Sequence, residues 1–196
     1  AWEGSGLAPM ELAGLLVGAS YGYHRAQNEE TVELIWTGPS SELVATRKTE
    51  QALLHVIKSA QEKLFLTSFV AYDVASIMAA LHDSADRDVA ISMLLESSDQ
   101  HGGGVSVDAI GKMRKAFPGA KIYFWGEKSE AFAGGKVHAK VAVADEAICF
   151  ISSANLTGHA MEKNMEAGVL VTGGVVPIKL HRHLEALVTT KQLKRD

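Results

Sequence analysis

A chain of 196 residues suffices for one ordinary α/β domain and is marginal for two. With 47% hydrophobic and 21% charged residues it can bury a real core, and no apolar run reaches the roughly 18 residues of a membrane-spanning helix. The net charge of −4 does not mark a nucleic-acid binder, although it averages over all faces and leaves room for a local basic patch. Cys149, the single cysteine, excludes a disulfide framework and a cysteine-based zinc site, and its apolar setting in AICFI reads as a buried thiol in a reducing, cytoplasmic compartment.

Residues 1–30 read as helical. The segment MELAGLLVGA lacks a basic flank and contains Glu11, so it reads as a packed amphipathic helix with Leu12, Leu15, Leu16 and Ala19 on one face, not as a signal-peptide core. TVELIWTG (31–38) alternates like a strand and stops at a GPSS turn. A helix with Leu53, Val56 and Ile57 in register follows, with Thr49 as its expected N-cap. Next come a strand (63–70), a helix (73–86), a strand (88–96), a loop SSDQHGGG (97–104), a helix (105–117) and a strand (120–126). The HGGG stretch is not a P-loop, because no Gly-Lys-Ser/Thr follows it. Beyond residue 136 adjacent strands replace the alternation: 136–145, 147–152 and 165–173, closed by a helix over 176–188. This order predicts an α/β fold, a mixed β-sheet flanked by helices on both faces. An N-terminal extension, 1–40, is expected ahead of a main domain, 41–196.

KVHAKVAVAD (136–145) places His138 and Lys140 on one face of a strand, an imidazole and an ammonium about 7 Å apart, as a phosphate would require. Asp145 has the opposite parity and is expected to cap the turn at Glu146. The SSAN that follows offers small residues for anion approach, with Ser153 and Asn155 as donors. Glu166, an acid opening an apolar strand, could accept the Nδ1–H of His138 and fix that ring's tautomer. Lys128 and Lys136 flank the loop entering this strand and are candidates to steer phosphate, with His159 a further candidate contact. A metal cluster of His138, Asp145, His159 and Glu166 is disfavoured because no metal-ligand spacing occurs.

His138, Lys140 and Asp145 spell H-x-K-x4-D, Ser153 and Asn155 fit a following G-S-x-N with Ser152 in place of glycine, and Asn164 with Glu166 fits a trailing N-x-E. The set resembles the phospholipase D superfamily, and the preceding β-α-β-α-β run resembles one half of that fold. LIWTGP ahead of a single-motif module resembles the phospholipase D-like component of bacterial DISARM anti-phage systems. The resemblance implies a catalytic set of His138, Lys140, Asp145, Ser153, Asn155 and Glu166 acting without metal or cofactor through a phosphohistidine. It also implies two motifs per active site. None of His24, His55, His82 and His101 is followed two residues on by lysine, so a homodimer is expected to supply the second motif. Single-motif homodimers of this superfamily are often nucleases, and some cleave phospholipids. Nucleic acid is therefore the expected substrate, defence-complex subunits are possible partners, and no stable membrane association is expected.

Other polar residues read as structural. His181 and His183 lie two apart on a helix and are expected on a solvated surface. Lys112, Arg114 and Lys115 on a short helix read as a solvated face, with a patch that tracks a phosphate backbone as the alternative. Trp125 is expected in the core, although at a strand end it could stack a base.

Overall fold

The computed structural model describes residues 6–41, 43–68, 74–98 and 108–196. Within them the elements run α1 (Pro9–Asn28), β1 (Thr31–Thr37), α2 (Thr49–Ser59), β2 (Lys63–Ser68), α3 (Ala75–Asp86), β3 (Ala90–Leu95), α4 (Ala109–Ala116), β4 (Lys121–Phe124), β5 (Val141–Ala144), β6 (Ile148–Ser152), α5 (Gly158–Glu162), β7 (Glu166–Thr172), α6 (Val176–Thr189) and β8 (Lys194–Arg195). The strands form one mixed sheet in the order β1-β7-β6-β5-β2-β3-β4-β8. Parallel pairing is confined to β2-β3 and β3-β4, whose connections carry α3 and α4. The glycine-rich loop expected at 97–104 lies largely outside the described residues.

Helices cover both faces of the sheet, as the sequence order predicts. Leu64 and Leu66 of β2 point with Met93 and Leu95 of β3 toward α2, α3 and α4, where Leu53, Val56, Leu81 and Met113 meet them. Phe65, Leu94, Val143 and Cys149 point the other way and pack beneath Leu184 of α6. The central strands read as unbroken apolar runs because both of their faces are buried. Cys149 is fully buried, and burial pushes its thiol up to about 11.

The β5-β6 hairpin turns through Asp145 and Glu146, which hold φ of 52° and 57°. Two consecutive positive φ values define the tight turn that suits strand twist and normally takes Asn-Gly. Their strain is offset by long-range bonds. Asp145 accepts backbone N–H bonds from Gln61 (2.7 Å), Glu62 (3.1 Å) and Lys63 (2.8 Å) at the start of β2. Glu146 receives Lys63 at 3.1 Å and Arg182 of α6 at 2.9 Å. Asp145 thus caps the turn entering β2, a neighbour in space, and not the turn at Glu146.

Several local expectations are corrected. Thr49 is the first helical residue, not the cap. Its side chain is fully buried and its Oγ1 accepts a 2.8 Å bond from the Thr37 hydroxyl of β1. His181 is 2% exposed, because α6 turns Leu184 and His181 inward together at i and i+3 spacing. Leu15 and Leu16 of α1 are 59% and 61% exposed, so the predicted packed face is bare among the described residues. Apolar residues occupy Leu15, Leu16 and Val17 in succession, which wraps them round the helix instead of along one stripe. The short β8, which pairs with β4 at Tyr123 and Phe124, gives no sequence signal.

Candidate active site

β5 runs antiparallel to β2, with Val141 opposite Thr67. The segment entering β5, residues 136–140, therefore lies beside the carboxyl ends of the parallel strands, where α/β sheets bind ligands. The ladder of β5 begins only at Val141, although the sequence predicts a strand from 136. Two bonds hold the earlier residues. The Glu96 carboxylate at the end of β3 accepts the Val137 N–H at 2.6 Å, and Ser152 N–H donates to the Lys140 carbonyl at 3.0 Å.

His138 is exposed and Lys140 is 7% exposed, and the two side chains share a face as alternation requires. Their polar atoms are much closer than 7 Å: the Lys140 stem folds back so that Nζ stands 3.0 Å from His138 Nδ1 and donates to the His138 carbonyl at 2.7 Å. An ammonium has only donors, so Nδ1 accepts and the proton of the neutral ring sits on Nε2. Burial pushes the Lys140 ammonium below its ordinary value, while the nearby Glu166 carboxylate opposes that shift.

Glu166 opens β7 and holds the loop after β6. Its Oε2 accepts the Ser153 hydroxyl, its Oε1 accepts Asn164 Nδ2 at 3.2 Å, and Ser153 Oγ also accepts the Ala167 N–H at 3.2 Å. Ser153 is thereby a buttress for the carboxylate. Ser152, which stands where the family pattern has glycine, has a negative φ, and its Oγ accepts the Ala154 N–H at 3.0 Å, so serine fits that backbone without strain. Asn155 has a buried Oδ1 with no hydrogen-bond partner among the described residues, as does the Thr67 hydroxyl across from Val141. Buried polar atoms without partners are uncommon and mark positions where a ligand or a water can complete the bonding.

The remaining predicted residues are dispersed. Asp145 stands at the far end of β5 from His138, committed to the backbone bonds at residues 61–63. His159 is exposed on α5. Lys136 lines the same groove as His138, whereas Lys128 places Nζ over the Trp125 ring, 5.2 Å from its centroid. Trp125 is not core: it is half-buried and walls this groove of about 490 Å³. His183 lines it too. Arg114, on the expected solvated face, pairs with the Asp196 carboxylate. Glu96 was invisible to motif reading; its one signal is an acid ending the apolar run ISMLL at a parallel strand's carboxyl end. Among the described residues no group of three or more His, Cys, Asp or Glu is placed to hold a metal ion.

A conserved-domain family described as cardiolipin synthase, PLD-like domain, matches residues 53–188, which span the sheet from α2 to α6. The chain belongs to this phospholipase D-like family. It is 28% identical over 152 residues to the DISARM protein DrmC of Bacillus paralicheniformis, an alignment covering 77% of this chain and 61% of that protein. Among solved structures, NucT from Helicobacter pylori superposes with a TM-score of 0.66 at 21% identity, covering 82% of this chain and 97% of that one. Nuc from Salmonella typhimurium, a phospholipase D family member, superposes at 0.62 with 19% identity, covering 86% and 99%. Both share the fold described above.

Proposed function

We propose that the protein is a metal-independent phosphodiesterase of nuclease type that completes its active site by homodimerisation and serves a DISARM-like anti-phage system in the cytoplasm. The observation that carries this reading is the His138–Lys140 pair beside the Glu166–Ser153–Asn164 network, present once in a chain of the family. The likeness to DrmC supports the defence assignment, and the match to nearly the whole length of Nuc and NucT supports a unit of one motif per chain.

In the proposed cycle His138 of one protomer, carrying its proton on Nδ1 once Lys140 has left that nitrogen, attacks phosphorus through the Nε2 lone pair. A P–N bond forms, the bond from phosphorus to the leaving oxygen breaks, and that oxygen takes the Nε2 proton of the partner's His138, which enters the step as an imidazolium and leaves it neutral. Water then attacks the phosphohistidine while the partner's His138 accepts its proton, the P–N bond breaks, and both rings return to their starting states. Lys140, released from the His138 carbonyl, and Asn155 hold the non-bridging oxygens as charge builds. Glu166 and Ser153 position this cluster, and Lys136 draws the backbone toward it.

A second reading, lipid hydrolysis, draws on the exposed Leu15, Leu16 and Tyr21 of α1, which suit an interfacial helix. No helix of the described residues is long and apolar enough to cross a membrane. Incubation in EDTA with labelled single-stranded DNA, duplex DNA and phosphatidylcholine vesicles separates the readings. The expectation is cleavage of single strands, lost by on the order of 10³-fold or more in His138→Ala with dimerisation intact. Turnover of lipid alone overturns the nuclease assignment. Defence that survives His138→Ala in cells reduces the protein to a dimerising scaffold subunit.

A further inference from the structure

The groove that contains His138 extends away from the catalytic pair and is walled by aromatic rings. Trp125, just past the end of β4, and Phe132 meet edge to face, with centroids 5.6 Å apart at an interplanar angle of 61°. Phe132 is 58% exposed and so presents its ring to the groove. The chain between them and the catalytic segment fits closely. A Cβ on Gly135 would stand 3.2 Å from the Trp125 ring and 2.9 Å from the Phe132 carbonyl, so only glycine lets the backbone run tight along the indole three residues before His138. The aromatic wall is thereby tied to the reacting imidazole.

We infer that this groove seats a nucleobase of the nucleotide next to the scissile phosphate, with Phe132 and Trp125 as its stacking wall. The inference rests on the nuclease reading above. Three features select a heterocycle. The groove volume of about 490 Å³ is in the range of small-molecule sites and suits one nucleoside. Its lining is largely apolar, with Leu180, Leu184 and Leu187 of α6, as the face of a base requires, and Ser129, His183 and Gln192 add hydrogen-bonding groups that match a base's polar edge and would be desolvated against an acyl chain. Lys136 lines the groove with His138, Lys128 stands over the indole at its wall, and the one carboxylate among the described lining residues, Glu127, is held by Lys194, so the charge along the groove suits flanking phosphates. Stacking reads no sequence, because every base presents a π-face. The wall therefore demands an unpaired base but not a particular one, which makes the site selective for single strands.

The test uses the full chain in EDTA with an end-labelled single-stranded DNA containing one abasic nucleotide, compared with the same strand fully based. The expected wild-type ladder is even on the based strand and falls on the order of tenfold or more at one phosphate flanking the abasic position, the size of a lost stacking contact. Phe132→Ala, at an exposed position that leaves the core intact, is expected to bring that ratio toward one, and Trp125→Leu to do the same. An even wild-type ladder across the abasic position overturns the inference while leaving the nuclease reading standing. So does a gap that persists unchanged in Phe132→Ala. Absence of any DNA cleavage, with turnover of phosphatidylcholine vesicles, overturns both readings and assigns the groove to an acyl chain.

Discussion

Asp145 belongs to the sequence motif, yet its carboxylate serves the fold, and replacing it separates the two roles. Asp145→Ala removes three charge-assisted bonds to the N–H groups of Gln61, Glu62 and Lys63. A hydrogen bond to a charged group contributes about 1.5–3 kcal/mol. These three share two oxygens, and the Gln61 and Glu62 positions are exposed, so water recovers part of the loss. Alanine also tolerates φ of 52° less well than aspartate. A loss of about 3 kcal/mol follows, which for a domain of this size lowers Tm by about 6–12 °C. Asp145→Asn keeps one acceptor oxygen and accepts the left-handed conformation, so about half that loss is expected. Differential scanning calorimetry measures both, alongside cleavage assays well below either Tm. A melting point unchanged in Asp145→Ala, with turnover abolished, would refute the structural role and place the carboxylate at the substrate.

Glu96 is expected to act as a positioning residue: Glu96→Ala strands the buried Val137 N–H, at a cost of about 1–3 kcal/mol, and loosens the segment carrying His138. Glu96→Gln keeps an acceptor and is expected to restore kcat. Loss of kcat in both variants at unchanged KM would indicate that the charge itself is needed. Stability is also expected to fall in mild acid because of His181. Burial, first, and the Lys63 ammonium push its pKa below the ordinary 6.5, against the opposing carboxylates of Glu185, Glu146 and Asp145. A base with a depressed folded pKa binds its proton preferentially in the unfolded chain, so stability present above pH 6.5 is lost as pH falls below it. Urea titrations between pH 7.5 and 5.5 are expected to show a slope that His181→Phe flattens; an equal slope in that variant rules His181 out.

The strands were legible because the sheet centre is buried on both sides, and unbroken apolar runs such as KLFLTS and ISMLL have few alternatives. The polar pair on KVHAKV was legible for the opposite reason, since period-two alternation cannot hide a His and a Lys that a core would reject. What escaped depends on distant partners. His181 looked like a surface residue because its neighbours Arg182 and His183 are polar, and only the docking angle of α6 turns it inward. Trp125 looked like core because exposure of an aromatic is set by the loop's path at Gly135, not by the residue. The partners of Asp145 lie more than 80 residues away in sequence, so parity placed it at the strand's end without revealing what it holds.

The geometry of the single protomer bears on why the proposed mechanism calls for two. Lys140 donates to His138 Nδ1 at 3.0 Å, which leaves the proton on Nε2, the outward atom of an exposed ring. A neutral ring in that state offers phosphorus no lone pair on Nε2, and to protonate a leaving oxygen it must first become an imidazolium with a proton on both nitrogens. The attacking ring must instead carry its proton on Nδ1, which requires Lys140 to leave that nitrogen. An incoming phosphoryl group supplies the reason to leave, because it presents the ammonium with anionic oxygens in place of a neutral imidazole. In the proposed homodimer two identical halves can then occupy different protonation states around one phosphate. Nothing in either half needs to differ in sequence for one ring to act as nucleophile and the other as acid. The substrate's single phosphorus atom, by being attacked from one side only, breaks the symmetry.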